Sequence, residues 1–157
     1  MLEVDIPGLR TLRLEHLVLD VNGTLALDGQ LLLGVAERLE ALKSTLRIHL
    51  LSANTHGRLA TIGARLDVLA ARLRAGESEV EQKATYVRQL GAGSVAAVGN
   101  GANDVGMLQE AELAIAVLGP EGLMADLLEH ADILVAAPAD AIDLLLHPKR
   151  LVATLRR

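Results

Sequence analysis

The sequence predicts an α/β fold, a three-layer sandwich with a mainly parallel, Rossmannoid sheet. Three observations carry that prediction. Short apolar runs alternate with segments of helical period as far as the C-terminus, the pattern of βα units. Most of these runs are apolar almost without a break, as strands buried on both faces must be. The chain has 157 residues, 51% of them hydrophobic, enough for one domain over 1–157 with a sizeable core. Because Tyr86 is its one aromatic residue, that core is built of Leu, Val, Ile and Ala.

Taken in order, two short β-like runs around Pro7-Gly8 suggest an N-terminal hairpin over residues 1–13. Strands are expected at His16–Val21, Leu46–Ser52, Asp67–Leu73, Ser94–Gly99, Leu113–Leu118 and Asp132–Ala136. Between them, Leu32, Val35, Leu39 and Leu42 mark one helix face, and Leu59, Ile62 and Leu66 a second. Val80, Ala84 and Val87 mark a third helix, opened by Ser78 as N-cap with Glu81 three residues on. Gly91 and Gly93 end it. A further helix is expected from about Glu121, after the Gly119-Pro120 turn, and the tail from Ala141 to Arg157 reads as one or two helices broken at Pro148.

Charge and composition narrow the function. The net charge of −5 comes with no basic block, which argues against nucleic acid and against an anionic membrane surface. No Cys is present, so disulfides, Cys-zinc sites and thiol nucleophiles are excluded. No apolar run approaches the length of a membrane span, and the first residues carry Glu3 and Asp5, so the expectation is a soluble, cytoplasmic protein.

In parallel sheets of this kind ligands bind beyond the carboxyl ends of the strands, so the residues just past each strand matter most. The first central strand ends in Asp20-Val21-Asn22-Gly23-Thr24-Leu25. Asp20 there is placed either to act as a nucleophile or cation ligand, or simply to close an Asx-type turn. The next strand ends in Ser52-Ala53-Asn54-Thr55, where Ser52 either holds a phosphate oxygen or caps the following helix. Lys83 sits on the third helix in a context that by itself reads as a solvated face. The fourth strand breaks into Gly99-Asn100-Gly101-Ala102-Asn103-Asp104, a glycine turn bearing oxygen ligands suited to a hard cation. The histidines show no paired metal-ligand spacing, and of them only His56, close after Ser52, is a candidate to reach the site.

In that order these four segments resemble the haloacid dehalogenase (HAD) superfamily of aspartyl phosphotransferases, and within it the capless proteins similar to the phosphorylation domain of P-type ATPases. The resemblance runs from about Leu17 to the C-terminus. It implies that Asp20 accepts a phosphoryl group and that Thr24, Ser52, Ala53 and Lys83 hold its oxygens. It also implies a Mg²⁺ ion held by Asp20, the backbone carbonyl of Asn22, Asn100 and Asp104, with Asn103 as a further candidate. The implied partner is a phosphorylated small molecule or a phosphoprotein.

Two residues depart from the family pattern. Its phosphatases carry an acid/base Asp where this chain has Asn22, and an amide cannot trade protons. Losing such a group typically costs 10² to 10⁴ in rate, roughly 3 to 5 kcal/mol. Most relatives also have Asp where this chain has Asn100. The intervals from Thr24 to Ser52 and from Ser52 to Lys83 are too short for an inserted cap domain, so the site is expected to be open unless a second copy covers it. The expected activity is a slow Mg²⁺-dependent phosphohydrolase or phosphotransferase. Its rival is a phosphate- or metal-binding regulatory protein of the same fold that turns nothing over. A response-regulator-like phosphoacceptor fits less well, because no acidic pair precedes the acceptor strand.

Overall fold

A computed structural model describes residues 1–53 and 58–157. A hairpin opens the chain: β1 (Leu2–Ile6) and β2 (Arg10–Leu14) pair antiparallel around the Pro7-Gly8 turn. Then come β3 (His16–Asp20), a second hairpin β4 (Ala26–Leu27) and β5 (Gln30–Leu31), α1 (Val35–Leu42), β6 (Arg47–Ser52), α2 (Arg58–Leu66) and β7 (Leu69–Arg72). They are followed by α3 (Glu79–Leu90), β8 (Val95–Gly99), α4 (Val105–Glu110), β9 (Leu113–Val117), β10 (Ile133–Val135), α5 (Pro138–Leu146) and α6 (Pro148–Leu155).

Six strands form one sheet in the order β10-β9-β8-β3-β6-β7, and every neighbouring pair is parallel. From β3 the chain builds outward through β6 and β7, then returns to β8 on the other side of β3. The strand order therefore reverses between β3 and β8, and the crevice this opens lies beyond Asp20 and Gly99. Side-chain alternation divides the core between the two faces. Leu17, Leu19, Leu50, Ala96 and Val98 pack on one face with α1, α2, α5 and α6. Val18, Leu51, Val95 and Ala97 pack on the other with Val87 of α3 and Met107 of α4.

Local chemistry explains the boundaries. Ser78 caps α3 by accepting the Glu81 backbone N–H at 3.3 Å, and Gly91 ends that helix at φ 90°. Pro138 and Pro148 each open a helix, where a missing N–H costs nothing, and Pro148 divides the tail.

Two expectations need correction. No helix begins near Glu121: Gly119 and Gly122 bridge each other and the Met124 N–H binds the Asn100 carbonyl at 3.0 Å. That turn spends residues 119–124 in folding back over Asn100, so only a 3-10 helix comes after it, at Ala125–His130. In addition, β7 is not buried on both faces: Leu69 remains 58% exposed, because β7 is an edge strand. The hairpin β4-β5 has no counterpart among the expected elements, although its Asp28-Gly29 turn, with φ 51° and 80°, is a common two-residue hairpin pair. It lies between β3 and α1, next to an isolated bridge of Asn22 with Ala26. Among the described residues no helix is long and apolar enough to cross a membrane.

Candidate active site

Asp20 ends β3 at the reversal point and is 4% exposed. Lys83 reaches it from α3, fully buried, and its Nζ donates to Asp20 Oδ1 at 2.7 Å and to Asp104 Oδ1 at 2.6 Å. A buried ammonium on an amphipathic helix is costly unless it is paired. Here two carboxylates pair it, and the trio keeps one net negative charge. Burial first, then the charge of Asp104, pushes the Asp20 pKa up to about 6 against the opposing pull of Lys83. Burial also works against the Lys83 ammonium, but Asp20 and Asp104 together outweigh it and hold its pKa above the ordinary value.

Asp104 folds back onto its own loop. Its Oδ2 accepts the backbone N–H groups of Asn100 and Gly101 at 2.9 and 3.0 Å. Gly99 makes room for this, since a methyl group on it would lie 2.5 Å from Asp104 Cγ. The Thr24 hydroxyl has one proton and two acceptors, Asn100 Oδ1 at 2.8 Å and Asp20 Oδ2 at 3.2 Å, so the shorter contact to Asn100 dominates. Asn100 also donates from Nδ2 to the Gly122 carbonyl at 3.1 Å. Both ends of that amide are therefore engaged.

Asn22 is exposed at the mouth, and its Nδ2 donates to Ser52 Oγ at 3.0 Å. Ser52, at the end of β6, is buried, and Ala53 comes next, half-buried. Asn103 is drawn elsewhere, donating to Glu79 of α3 at 2.7 Å. Thus Asp20, Thr24, Lys83, Asn100 and Asp104 are joined by hydrogen bonds, while Asn22, paired with Ser52, lines a cavity with Asn100. Asn54, Thr55 and His56 lie outside the described residues.

Oxygen donors fit a hard divalent cation here. The trio has a net negative charge, and the Asn22 backbone carbonyl accepts no hydrogen bond among the described residues. Among them no group of three or more His, Cys, Asp or Glu side chains is gathered as a metal site, so a cation would depend on backbone and amide oxygens as well.

Two features, one at the site and one away from it, are not foreseen from the sequence. Glu121 lines a cavity of about 590 Å³ together with Asn22, Asn100, Gly101, Asn103 and Met124. It lies just past the carboxyl end of β9, where ligand-facing residues are expected, but Gly119-Pro120 ahead of it also suits the start of a helix. The second feature is a buried polar chain, His16 to His49 at 3.0 Å and His49 to Tyr86 at 2.9 Å, under the same helix as Lys83.

No protein-family model matches the chain. Of two similar uncharacterized proteins of Methanocaldococcus jannaschii, one is 45% identical over 62 residues, 40% of this chain and 67% of that protein. The other is 51% identical over 39 residues, 25% of this chain and 89% of that protein. A probable phospholipid-transporting ATPase 12 of Arabidopsis thaliana is 47% identical over 51 residues, 31% of this chain and 4% of the ATPase. Among solved structures, the cobalt-bound deoxy-D-mannose-octulosonate 8-phosphate phosphatase of Haemophilus influenzae superposes with a TM-score of 0.72 at 15% identity, covering 92% of this chain and 94% of its own. The 3-deoxy-D-manno-octulosonate 8-phosphate phosphatase of Moraxella catarrhalis, in complex with magnesium, phosphate and its sugar acid, gives 0.68 at 18% identity, covering 91% and 94%. The fold is therefore that of the haloacid dehalogenase hydrolases. The chain belongs to one family with the two archaeal proteins.

Proposed function

We propose that this chain is a Mg²⁺-dependent phosphohydrolase or phosphotransferase of the HAD type, acting in the cytoplasm through an aspartyl phosphate on Asp20. The observation that carries the reading is the buried Asp20-Lys83-Asp104 trio at the reversal point of a parallel sheet. A carboxylate is buried there beside a paired cation at the place where such sheets bind ligands, an arrangement that suits capture of an anionic phosphoryl group.

An Asp20 carboxylate oxygen attacks phosphorus, and the bond from phosphorus to the leaving oxygen breaks with its electron pair. Lys83 is placed to offset the charge on Asp20 and on the transferring group. Ser52 donates its hydroxyl to a phosphoryl oxygen, with the Ala53 backbone beside it, and Thr24, bonded chiefly to Asn100, stands next to Asp20. A Mg²⁺ ion held by Asp20, the Asn22 carbonyl, Asn100 and Asp104 would supply charge neutralisation at the phosphoryl oxygens. Asn22 neither protonates the leaving oxygen nor takes a proton from water. Acyl phosphates, whose leaving group needs no proton, are thus the favoured donors, and hydrolysis of the aspartyl phosphate is the slow step. With no cap inserted, a phosphorylated small molecule or a phosphoprotein side chain could approach, unless a second copy of the chain closes the mouth.

Acid-quenched labelling with ³²P-acetyl phosphate tests the reading. Label that requires Mg²⁺, disappears with EDTA and is absent in Asp20→Asn supports it. Label that survives in Asp20→Asn overturns it. Asn22 and Asn100 favour one alternative, a phosphate- or metal-binding regulatory protein, for which phosphate binds with no label at all.

A further inference from the structure

We propose that two copies of this chain associate through the face formed by Leu33 and the groove beside it, as a two-fold symmetric dimer. The inference is independent of the chemistry at Asp20. Leu33 is 97% exposed, the most exposed large hydrophobic side chain among the described residues. The backbone on either side of it is tied down. The Leu32 N–H binds the Leu25 carbonyl at 2.9 Å, the Val35 N–H binds the Leu32 carbonyl at 3.3 Å, and Gly34 turns the chain into α1 at φ 77°. Leu31 and Leu32 pack onto the core, so Leu33 is left as an apolar knob on an anchored turn. Burying such a side chain is favourable wherever a matching surface is offered.

The matching surface lies in the same patch. Leu33 borders a groove of about 420 Å³ whose apolar lining includes Leu31, Leu32, Ala36 and Ile62. Glu37 of α1 and Arg65 of α2 line it as well, both exposed and neither with a hydrogen-bond or ion-pair partner among the described residues. One patch thus carries a knob and a groove, an acid and a base. A two-fold axis turns each feature of one copy toward its complement on the other, because in such an interface residue i meets j and j meets i. Leu33 of each copy then enters the groove of the other, and Glu37 of each faces the partner's Arg65. The two charges cancel within the patch, so the net charge of −5 on each chain brings no repulsion there. This self-complementarity selects a second copy over an unrelated peptide. The patch includes β5, whose partner β4 is tied to the Asp20 loop by the Gly23 N–H on the Ala26 carbonyl at 2.9 Å, so association braces the loop that carries Asn22.

Sedimentation velocity of the full chain at micromolar concentrations, recorded by interference because Tyr86 alone absorbs little, tests this. The wild type should sediment at twice the mass of one chain. Leu33→Asp puts a charge into the apolar groove, and Glu37→Arg sets two guanidinium groups face to face, so each should weaken the dimer about tenfold or more. Arg65→Glu should do the same by setting two carboxylates together. An equal mixture of Glu37→Arg and Arg65→Glu should regain the dimer, because every acid then meets a base. All three positions are exposed, so circular dichroism should show each variant folded. A wild type that stays monomeric overturns the inference, as does a dimer that persists in Leu33→Asp and Glu37→Arg. A mixture that stays monomeric overturns the pairing of Glu37 with Arg65, and the two-fold arrangement with it.

Discussion

Two polar clusters lie beneath α3, one turn apart on that helix, and they solve the problem of burial in opposite ways. Toward the carboxyl ends of the strands, Lys83 joins Asp20 and Asp104 in a charged trio. Toward the amino ends, Tyr86 joins His49 and His16 in a chain of hydrogen bonds. There burial, then the charges of His16 and Arg47, lower the His49 pKa to about 4. Burial and Arg47 lower His16, against the opposing charge of Glu15, and burial raises Tyr86. All three groups are thus held neutral, and the chain is complete in itself. The charged trio keeps a net charge and faces the crevice, so it has something left to offer a cation and a phosphoryl group. On the proposed reading the charged cluster serves the function and the neutral one the scaffold.

Breaking the charged end should have the largest effect. Lys83→Met leaves two buried carboxylates facing each other, and urea unfolding should show a loss of about 3 to 5 kcal/mol. The same change in an Asp20→Asn background should cost visibly less, because one of the two charges is gone.

Next comes the pH dependence of stability, measured in EDTA. With its folded pKa raised from 3.8 to about 6, Asp20 binds its proton more tightly in the folded state. Its contribution is therefore present below pH about 4 and lost as pH rises through 6, up to ~3 kcal/mol. Asp20→Asn should flatten that slope and melt no lower than the wild type at pH 7. His49 has the opposite sign: its depressed pKa favours the folded state above pH 6.5, and that support is lost as pH falls toward 4.

The neutral end should respond more mildly. His49→Leu strands the partners on either side and should cost about 1 to 3 kcal/mol. Replacing the whole chain, with His16→Leu, His49→Leu and Tyr86→Phe, should cost less than that single change and leave phosphate labelling of Asp20 intact. The smallest effect is expected at the shared support: Ser78→Ala removes the cap of α3 and should lower stability by about 1 kcal/mol, with no preference for either cluster.

Of the charged cluster, Asp20 and Asp104 could be marked as candidates because each lies just past a strand and strand ends converge in a parallel sheet, whereas Lys83 by itself reads as a solvated helix face and is picked out only by the resemblance. Asp20, Lys83 and Asp104 are far apart in sequence, and the fold brings them together. The neutral cluster could not be read that way. His16 and His49 meet because β3 pairs with β6 in the register Val18 to His49, and no spacing along the chain encodes a register between strands. Glu121 was hidden for a different reason. Gly119, Pro120 and Gly122 resemble the approach to a helix as much as a turn, and the hydrogen bonds to Asn100 that decide between them are long-range. The exposure of β7 likewise depends on which strand ends at the edge, a property of the assembled sheet.

The most direct test of the central claim is the lifetime of label on Asp20, chased in wild type and in Asn22→Asp. If Asp20 carries an aspartyl phosphate whose hydrolysis is slow for want of an acid/base group, Asn22→Asp should shorten the lifetime tenfold or more. An unchanged lifetime, with label still formed on Asp20, would contradict the assignment of slow turnover to Asn22.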